Sequence, residues 1–220
     1  MLLYRLVYRH PVDEYETKVT AYMNRKYAKR FGDTLTLVNI DFGGAMIPCD
    51  TYTFRSEKYP DKPINLSVFP RTREYRTNYM EVHYFESIYK KFKKQARTIF
   101  GKCSVLADRS KIGHHSDKED YRWTLDTYMK KSGMSFVIWI SEDSPFAVEY
   151  MMDLGMRKLY EKCEKMGLAV PGIYLNITKK LLEDDIIDMH DIPADCYDNE
   201  IAWKWYSFKD GFEAGDFCKL

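Results

Sequence analysis

The chain has 220 residues, of which 45% are hydrophobic and 30% are charged, and its formal net charge is +1. This composition excludes a disordered chain, and the length is sufficient to bury the core of one large domain or two small ones. A net charge near zero argues against a partner held by bulk electrostatics, such as nucleic acid or an anionic membrane.

The cysteines and the start of the chain bear on the compartment. The cysteine count is odd and no C-x-x-C pair occurs, which favours a reducing compartment over a secreted disulfide framework. Arg5 and Arg9 interrupt the first apolar residues, so no signal-peptide core is present there, and no apolar run is long enough to span a membrane. We therefore expect a cytoplasmic protein, with an extracytoplasmic location as the alternative if a signal was trimmed. The five cysteines are Cys49, Cys103, Cys163, Cys196 and Cys218.

The first half of the chain begins with an amphipathic helix and continues with strands. Pro11 and Asp13 are helix-start signals, and apolar residues recur at helical spacing up to residue 31. Gly32 then suits the left-handed residue that ends a helix. Alternating and β-branched segments after it predict strands, with Gly43 and Gly44 as a hairpin turn. These strands are predicted at 35–41, 46–55, 64–70 and 77–83.

The clearest pattern in the sequence predicts a helix over residues 83–100. Its apolar residues follow the i, i+3, i+4, i+7 spacing of a core-facing stripe. Gly101 follows directly, and the short apolar segment CSVLAD after it predicts a strand. The same order of helix, glycine and strand recurs at Gly32, Gly133 and Gly167, without the similarity that would indicate a repeat. The stripe consists of Phe85, Ile88, Tyr89, Phe92, Ala96 and Ile99.

The second half alternates helices and strands. The pattern predicts a helix before Gly133, a strand at 136–140, a helix at about 145–166 and a strand at 173–177, which form a right-handed crossover if the strands are parallel. Residues 178–199 are acidic and predicted to be irregular or helical. Residues 201–208 alternate as a strand does, and Trp203 and Trp205 are expected to face the core on one side of it. The glycine-containing tail after residue 208 predicts turns.

Together these elements predict an α+β fold in which a mainly antiparallel sheet is flanked by helices. The polar segment RSKIGHHSDKED, residues 109–120, is the best candidate for a linker. It predicts an α-β-β-β-α-β unit over 1–110 and a second α/β unit over 111–220 packed on it. The two units are either similar subdomains or parts of a single domain.

Familiar catalytic and cofactor signatures are absent from the sequence. There is no P-loop, no G-x-G-x-x-G, no H-E-x-x-H, no G-x-S-x-G and no EF-hand loop, so we expect no cofactor. The sharpest remaining cluster is His114, His115 and Asp117, whose imidazoles and carboxylate could bind a divalent metal or move a proton near neutral pH. A polar surface loop is the competing interpretation of the same residues.

An acidic segment near residue 190 could bind a hard cation or a basic protein partner. Asp188, His190 and Asp191 are its candidate metal ligands, and a solvated loop that balances the lysine-rich helices is the alternative. His83, beside Glu81 and Glu86, is a candidate for acid–base catalysis, or it is a structural histidine. The segment also contains Glu183, Asp184, Asp185, Asp195, Asp198, Glu200 and Cys196.

A basic face on the central helix could contact phosphates, and Tyr75 and Tyr79 could stack on bases. A lysine-rich outer face is also the ordinary way to keep a helix soluble, and the net charge makes nucleic acid the weaker interpretation. The basic residues are Lys90, Lys91, Lys93, Lys94 and Arg97 on the helix and Arg71, Arg73 and Arg76 before it.

The segments YAKRFGDTLTLV and TNYMEVHYFESIYKKFKKQARTIFGKCSVL, in their spacing and aromatic placement, resemble a group of small uncharacterised proteins from Firmicutes. Some of those proteins carry a lipoprotein signal. The resemblance covers about residues 12–108 and implies an α+β unit. It brings no catalytic residues, and this chain has no lipobox at its start, although the resemblance strengthens the extracytoplasmic alternative.

Three functions follow as hypotheses. The first is a non-enzymatic bacterial binding or interaction protein, of an accessory or immunity type, whose partner is another protein. The second is a metal-assisted hydrolase that uses the His114 cluster or the acidic segment. The third is a nucleic-acid binder that uses the basic helix. The sequence leaves the ligand, the oligomeric state and the sheet topology open.

Overall fold

The computed structural model describes residues 12–43, 49–69, 71–72, 74–108, 115–116, 120–131, 133–183 and 188–220. The chain divides into two compact units. The first holds the described residues up to Tyr84 and those between His114 and Trp123, and the second holds the rest. Each unit contains a five-stranded, mainly antiparallel sheet, so the predicted α+β class is confirmed.

The first unit opens with a helical segment that has an irregular turn in its middle. Helix α1 (Val12–Met23) passes into a π-helical turn (Asn24–Ala28) and a last α-helical turn, α2 (Lys29–Phe31). In the π-turn, the Asn24 side chain donates to the carbonyl oxygen of Leu35 and accepts from its N–H, both at 2.8 Å. This amide therefore ties the helix to the first strand, and a π-turn of this kind is often placed where a side chain has a specific task.

The first sheet is an antiparallel arrangement in the order β1-β2-β3-β4-β6. In β2 and β3 alternate residues such as Tyr52, Phe54 and Leu66 are fully buried, because successive side chains point to opposite faces. The predicted strand at 46–55 begins later, at Asp50, and residues 44–48 lie outside the described residues. The strands are β1 (Leu35–Asp41), β2 (Asp50–Ser56), β3 (Ile64–Phe69), β4 (Glu74–Thr77) and β6 (His115–Ser116).

The central helix, α3, begins earlier than the sequence pattern predicts. It spans Tyr79–Phe100, so the predicted strand at 77–83 is wrong. The strand before the helix, β4, ends at Thr77. The Thr77 hydroxyl accepts from the Tyr79 N–H, and the Val82 N–H donates to the carbonyl of Asn78, so helical bonding starts at this point. The predicted apolar stripe is confirmed, since five of its six members are buried and Ile99 is half-buried.

In the second unit, a parallel pair of strands joined by a crossover helix lies between antiparallel strands. Its sheet has the order β10-β9-β8-β7-β5, and only the β7–β8 pair is parallel, joined through α5 as the sequence predicts. The predicted turns in the tail are wrong, because residues 213–219 form β10 against β9. The elements are β5 (Cys103–Asp108), α4 (Leu125–Lys131), β7 (Ser135–Ser141), α5 (Glu149–Met166), β8 (Gly172–Thr178), β9 (Glu200–Ser207) and β10 (Glu213–Lys219).

Both faces of the central strand β7 are covered. Every residue of β7 from Ser135 to Ile140 is buried, as expected of a central strand next to a parallel neighbour. On one face Phe136 stacks on Phe92 with ring centroids 3.7 Å apart. Packing between β8 and β9 is tight, since a Cβ added at Gly172 would lie 1.8 Å from the Trp205 indole.

The helix ends confirm the predicted punctuation. Gly32, Gly101, Gly133 and Gly167 have φ angles of 63°, 71°, 61° and 65°, which only glycine adopts readily. Within the described ranges, no helix combines the length and the apolar character needed to cross a bilayer.

Candidate functional site

The candidate site lies on one face of the second sheet, and the strand register aligns its residues in rows. Trp139 on β7 is opposite Asn176 on β8, which is opposite Trp203 on β9. The next row holds Val137 and Tyr174. Residues paired directly across strands project from the same face, so these side chains form one mainly aromatic surface that also contains the amide of Asn176.

A segment of the acidic region covers this surface and leaves a cavity beneath it. Residues 188–200 form two short 3₁₀ turns, Met189–Asp191 and Ala194–Asn199, before β9. Tyr197 lies edge-on to Trp139, with ring centroids 5.9 Å apart. This open cavity, here called the aromatic pocket, has a volume of about 230 Å³. Its lining is Val137, Trp139, Tyr174, Asn176, Met189, Ile192, Tyr197, Glu200 and Trp203.

Two polar atoms of the lining have no hydrogen-bond partner among the described residues. They are the indole Nε1 of Trp139, a residue that is 0% exposed, and the amide Oδ1 of Asn176, a residue that is 8% exposed. A buried polar group without a partner costs about 1–3 kcal/mol, so most such groups in folded proteins are paired. One unpaired donor and one unpaired acceptor therefore belong to two residues that line the same cavity.

The charge in the pocket comes from Glu200. Burial raises the pKa of this carboxyl group above its usual value, and a hydrogen bond from the Asn176 side chain opposes that shift. Burial also raises the pKa of the Tyr197 hydroxyl, with contributions from the neighbouring Glu200 and Cys196. The pocket thus offers aromatic faces, a carboxylate, an amide oxygen and an indole N–H to a ligand.

Two of the predicted metal ligands lie beside the pocket. The Asp188 side chain accepts from the His190 N–H at 3.0 Å, and His190 Nε2 lies 3.8 Å from the buried carboxylate of Asp108. Asp191 is exposed. Among the side chains that the structure describes, no group of three histidines, cysteines or acids is placed to hold a metal ion.

The predicted cluster around His115 is largely outside the described residues. His114 and Asp117 are not among them, and of His115 only the backbone pairing of β6 with Thr77 is described. A metal or catalytic role for these three residues stays a prediction.

His83 lies in α3, within the first unit. Its Nδ1 is 2.5 Å from the Tyr59 hydroxyl, and its ring is 4.0 Å from that of Phe31. Burial lowers its pKa to about 4, with the positive charges of Lys58 and Arg30 acting in the same direction. The imidazole is therefore neutral near pH 7, which suits a ring that positions its neighbours, and its catalytic role stays a prediction.

On the basic face Lys90, Lys91 and Lys94 are exposed and Lys93 is half-buried, but Tyr79 is not accessible. Tyr79 is fully buried and its hydroxyl donates to Asp33 at 3.0 Å, so the prediction that it stacks on bases is wrong. Tyr75 stacks on Tyr22, with ring centroids 5.1 Å apart. Arg76 pairs with Glu74 at 3.1 Å, and Arg73 lies outside the described residues.

The sequence pattern missed most of the pocket. Trp203 was expected in the core, but it is half-buried and lines the cavity. The available signal was the polar or bulky residue at alternate positions of two apolar strands, Trp139 in SFVIWIS and Asn176 in GIYLNIT. That signal becomes meaningful only with the register that sets these two residues side by side.

No family model matches this chain, and no curated protein matches it. Among solved structures, the chain is similar to the crystal structure of a DUF5037 family protein from Ruminococcus gnavus ATCC 29149, a Firmicute. The two chains are 12% identical, the match covers 91% of this chain and 94% of that one, and the TM-score is 0.41. A likeness at this level carries no argument about function.

Proposed function

We propose that the protein is a non-enzymatic binding protein, of an accessory or immunity type, and that the aromatic pocket is its ligand site. The observation that carries this proposal is the pair of unpaired buried polar atoms, Trp139 Nε1 and Asn176 Oδ1, on two residues that line one cavity. A ligand that supplies an acceptor to the first and a donor to the second would remove both desolvation costs.

The composition of the pocket favours binding over catalysis. Ligand sites are mostly apolar with a few placed polar groups. Five of the lining residues here have large apolar side chains, namely Val137, Met189, Ile192, Trp139 and Trp203. The lining found among the described residues contains one carboxylate and no histidine, cysteine, serine or lysine. A nucleophile with an adjacent base, the minimum for covalent catalysis, is not part of this set.

Fluorine NMR on protein labelled with 5-fluorotryptophan tests the proposal, because the chain has four tryptophans. We expect small polar aromatic and amide fragments to shift the Trp139 and Trp203 resonances and to leave Trp123, which lies in the first unit, unchanged. Single Trp→Phe variants assign the resonances. If the fragments shift only Trp123, or shift no tryptophan at all, the pocket is not a ligand site.

The variant Asn176→Leu separates a binding role from a structural one. It removes an unpaired buried acceptor, and the half-buried Glu200 can turn towards solvent, so we expect the free energy of unfolding to stay within about 1 kcal/mol of the wild type. Fragment binding should be lost. Chemical denaturation and the same NMR titration measure both effects, and retained binding together with a large loss of stability would assign Asn176 to the fold alone.

A further inference from the structure

We propose that the occupant of the aromatic pocket is the guanidinium group of an arginine side chain on a basic partner protein. This inference rests on the proposed binding function and specifies its ligand. It begins with charge. Residues 188–200, which cover the pocket, contain five carboxylates and no lysine or arginine, although the whole chain has a net charge of +1. The five are Asp188, Asp191, Asp195, Asp198 and Glu200.

The acceptors within the pocket select a cation that carries N–H donors. The Glu200 carboxylate and the unpaired Oδ1 of Asn176 both accept hydrogen bonds, and the first is already partly removed from water. A guanidinium has five N–H donors and no acceptor, so it can serve both groups at once. A quaternary ammonium would satisfy neither of them.

The aromatic walls favour a planar cation over a compact one. Tyr174 and Trp203 lie edge to face with ring centroids 6.0 Å apart, and Tyr197 lies edge to face with Trp139 at the side of the pocket. A guanidinium stacks on such faces and interacts with their negative quadrupole, whereas a lysine ammonium is more strongly hydrated. The cavity volume of about 230 Å³ is below the usual range for a complete small-molecule ligand, which suits one side chain.

The indole donor and the outer carboxylates indicate a peptide rather than a free cation. Trp139 Nε1 needs an acceptor, which a guanidinium lacks and a main-chain carbonyl provides. Asp191, Asp195 and Asp198 are exposed on the segment that covers the pocket. They complement further basic residues on either side of the inserted arginine and would accelerate association at low salt.

Four matched peptides test this inference on the whole protein. They share flanking glycine and lysine residues and differ at the centre, which is arginine, lysine, citrulline or norleucine. Citrulline keeps the shape of arginine without its charge. Calorimetric titration should show the arginine peptide binding about tenfold or more tightly than the citrulline peptide, with lysine between them and a weakening of the arginine peptide as salt rises.

The variant Glu200→Gln should reduce binding of the arginine peptide by about tenfold and abolish its advantage over citrulline. Asp143→Asn is the matched control, because it removes an exposed carboxylate from a turn outside the pocket lining and should change nothing. Thermal unfolding of both variants checks that they fold, and Asn176→Leu should lose the same preference.

The outcomes distinguish the two proposals. If neutral or anionic fragments shift the Trp139 and Trp203 resonances but no peptide shows a preference for arginine, the arginine inference is overturned and the binding function stands. If neither fragments nor peptides reach those resonances, both proposals fail. A preference for arginine that survives in Glu200→Gln would place the contact elsewhere and would also overturn the inference.

Discussion

His83 shows at the residue scale how surroundings fix a protonation state. The ring is half-buried among Phe31, Tyr59, Tyr79 and Tyr84, and two cations, Lys58 and Arg30, act on its charge. Burial and these charges lower its pKa from 6.5 to about 4, and only Asp33 opposes them. The folded state therefore favours the neutral form of the His83 imidazole over the protonated form.

This preference predicts a loss of stability in acid. Above pH 6.5 the imidazole is neutral in both states and its contribution is complete, and between pH 6.5 and about 4 the unfolded chain takes up a proton that the folded ring refuses. Because the ring is half-buried, solvent partly screens these electrostatic effects. Protonation of His83 should therefore lower the free energy of unfolding by about 1–2 kcal/mol. Urea denaturation at a series of pH values measures it, and His83→Asn should show a shallower dependence. Equal slopes would contradict the assignment.

At the element scale, a buried lysine joins β9 to α5. Lys204 is 3% exposed, and its ammonium lies 2.9 Å from Glu149 and 2.9 Å from Asp153, which also accepts from the Tyr206 hydroxyl at 2.8 Å. Burial alone lowers the pKa of the lysine, but the hydrogen bonds and charges of the two acids outweigh burial and raise it. The ion cluster thus replaces apolar packing at the start of the crossover helix.

We expect Lys204→Met to destabilise the protein by about 2 kcal/mol, because it leaves two neighbouring carboxylates without their cation. Both acids keep partial contact with solvent, which limits the loss. Lys158→Met on the exposed side of α5 is the control and should have an effect below about 0.5 kcal/mol. Guanidinium denaturation measures both, and equal effects would show that the cluster contributes nothing specific.

At the scale of the whole molecule, the chain leaves the first unit and returns to it. Strand β6 completes the first sheet by pairing with β4, and the Tyr84 hydroxyl donates to the Trp123 carbonyl at 3.2 Å. Strand β5, between these segments in sequence, belongs to the second sheet, where all six of its residues are buried. Neither unit is a continuous stretch of chain.

A fragment that ends at residue 110 should consequently fail to fold alone. It lacks β6 and exposes β5 without its partner β7, so an apolar edge strand is left free to associate. We expect gel filtration to show aggregates and a proton–nitrogen spectrum to lack dispersion, whereas the full chain should be dispersed. A monomeric fragment with a dispersed spectrum would contradict this prediction.

Local signals account for what the sequence predicted of the fold. The stripe of α3 and the glycines that end the helices depend on residues within a few positions of each other, so periodicity and φ preference are sufficient. The strand prediction for residues 77–83 is wrong because the aromatic and β-branched residues there resemble a strand, whereas the Thr77 hydroxyl accepts from the Tyr79 N–H and helical bonding begins at Asn78. The prediction of turns in the tail is wrong because it rests on Gly211 and Gly215, whereas residues 213–219 pair with the edge of β9 and form β10.

The pocket required information that no short window contains. Trp139, Asn176 and Trp203 are neighbours only through the register of three strands, one of which arrives by a crossover. The carboxylates of the acidic segment indicate from sequence alone a possible contact for a basic partner, whereas the role of its apolar members, Met189 and Ile192, follows only from their packing against that sheet face.

The close contact between Gly172 and Trp205 restricts the order in which this sequence can change during evolution. A methyl group at position 172 would occupy the space of the indole, so an alanine there is acceptable only after position 205 has become smaller. That order passes through a poorly packed intermediate that leaves space beside the glycine, whereas the reverse order passes through a steric clash with the indole. The residue at position 205 therefore determines which residues position 172 can accept. Lineages that keep the tryptophan must also keep the glycine, whatever ligand the neighbouring pocket binds.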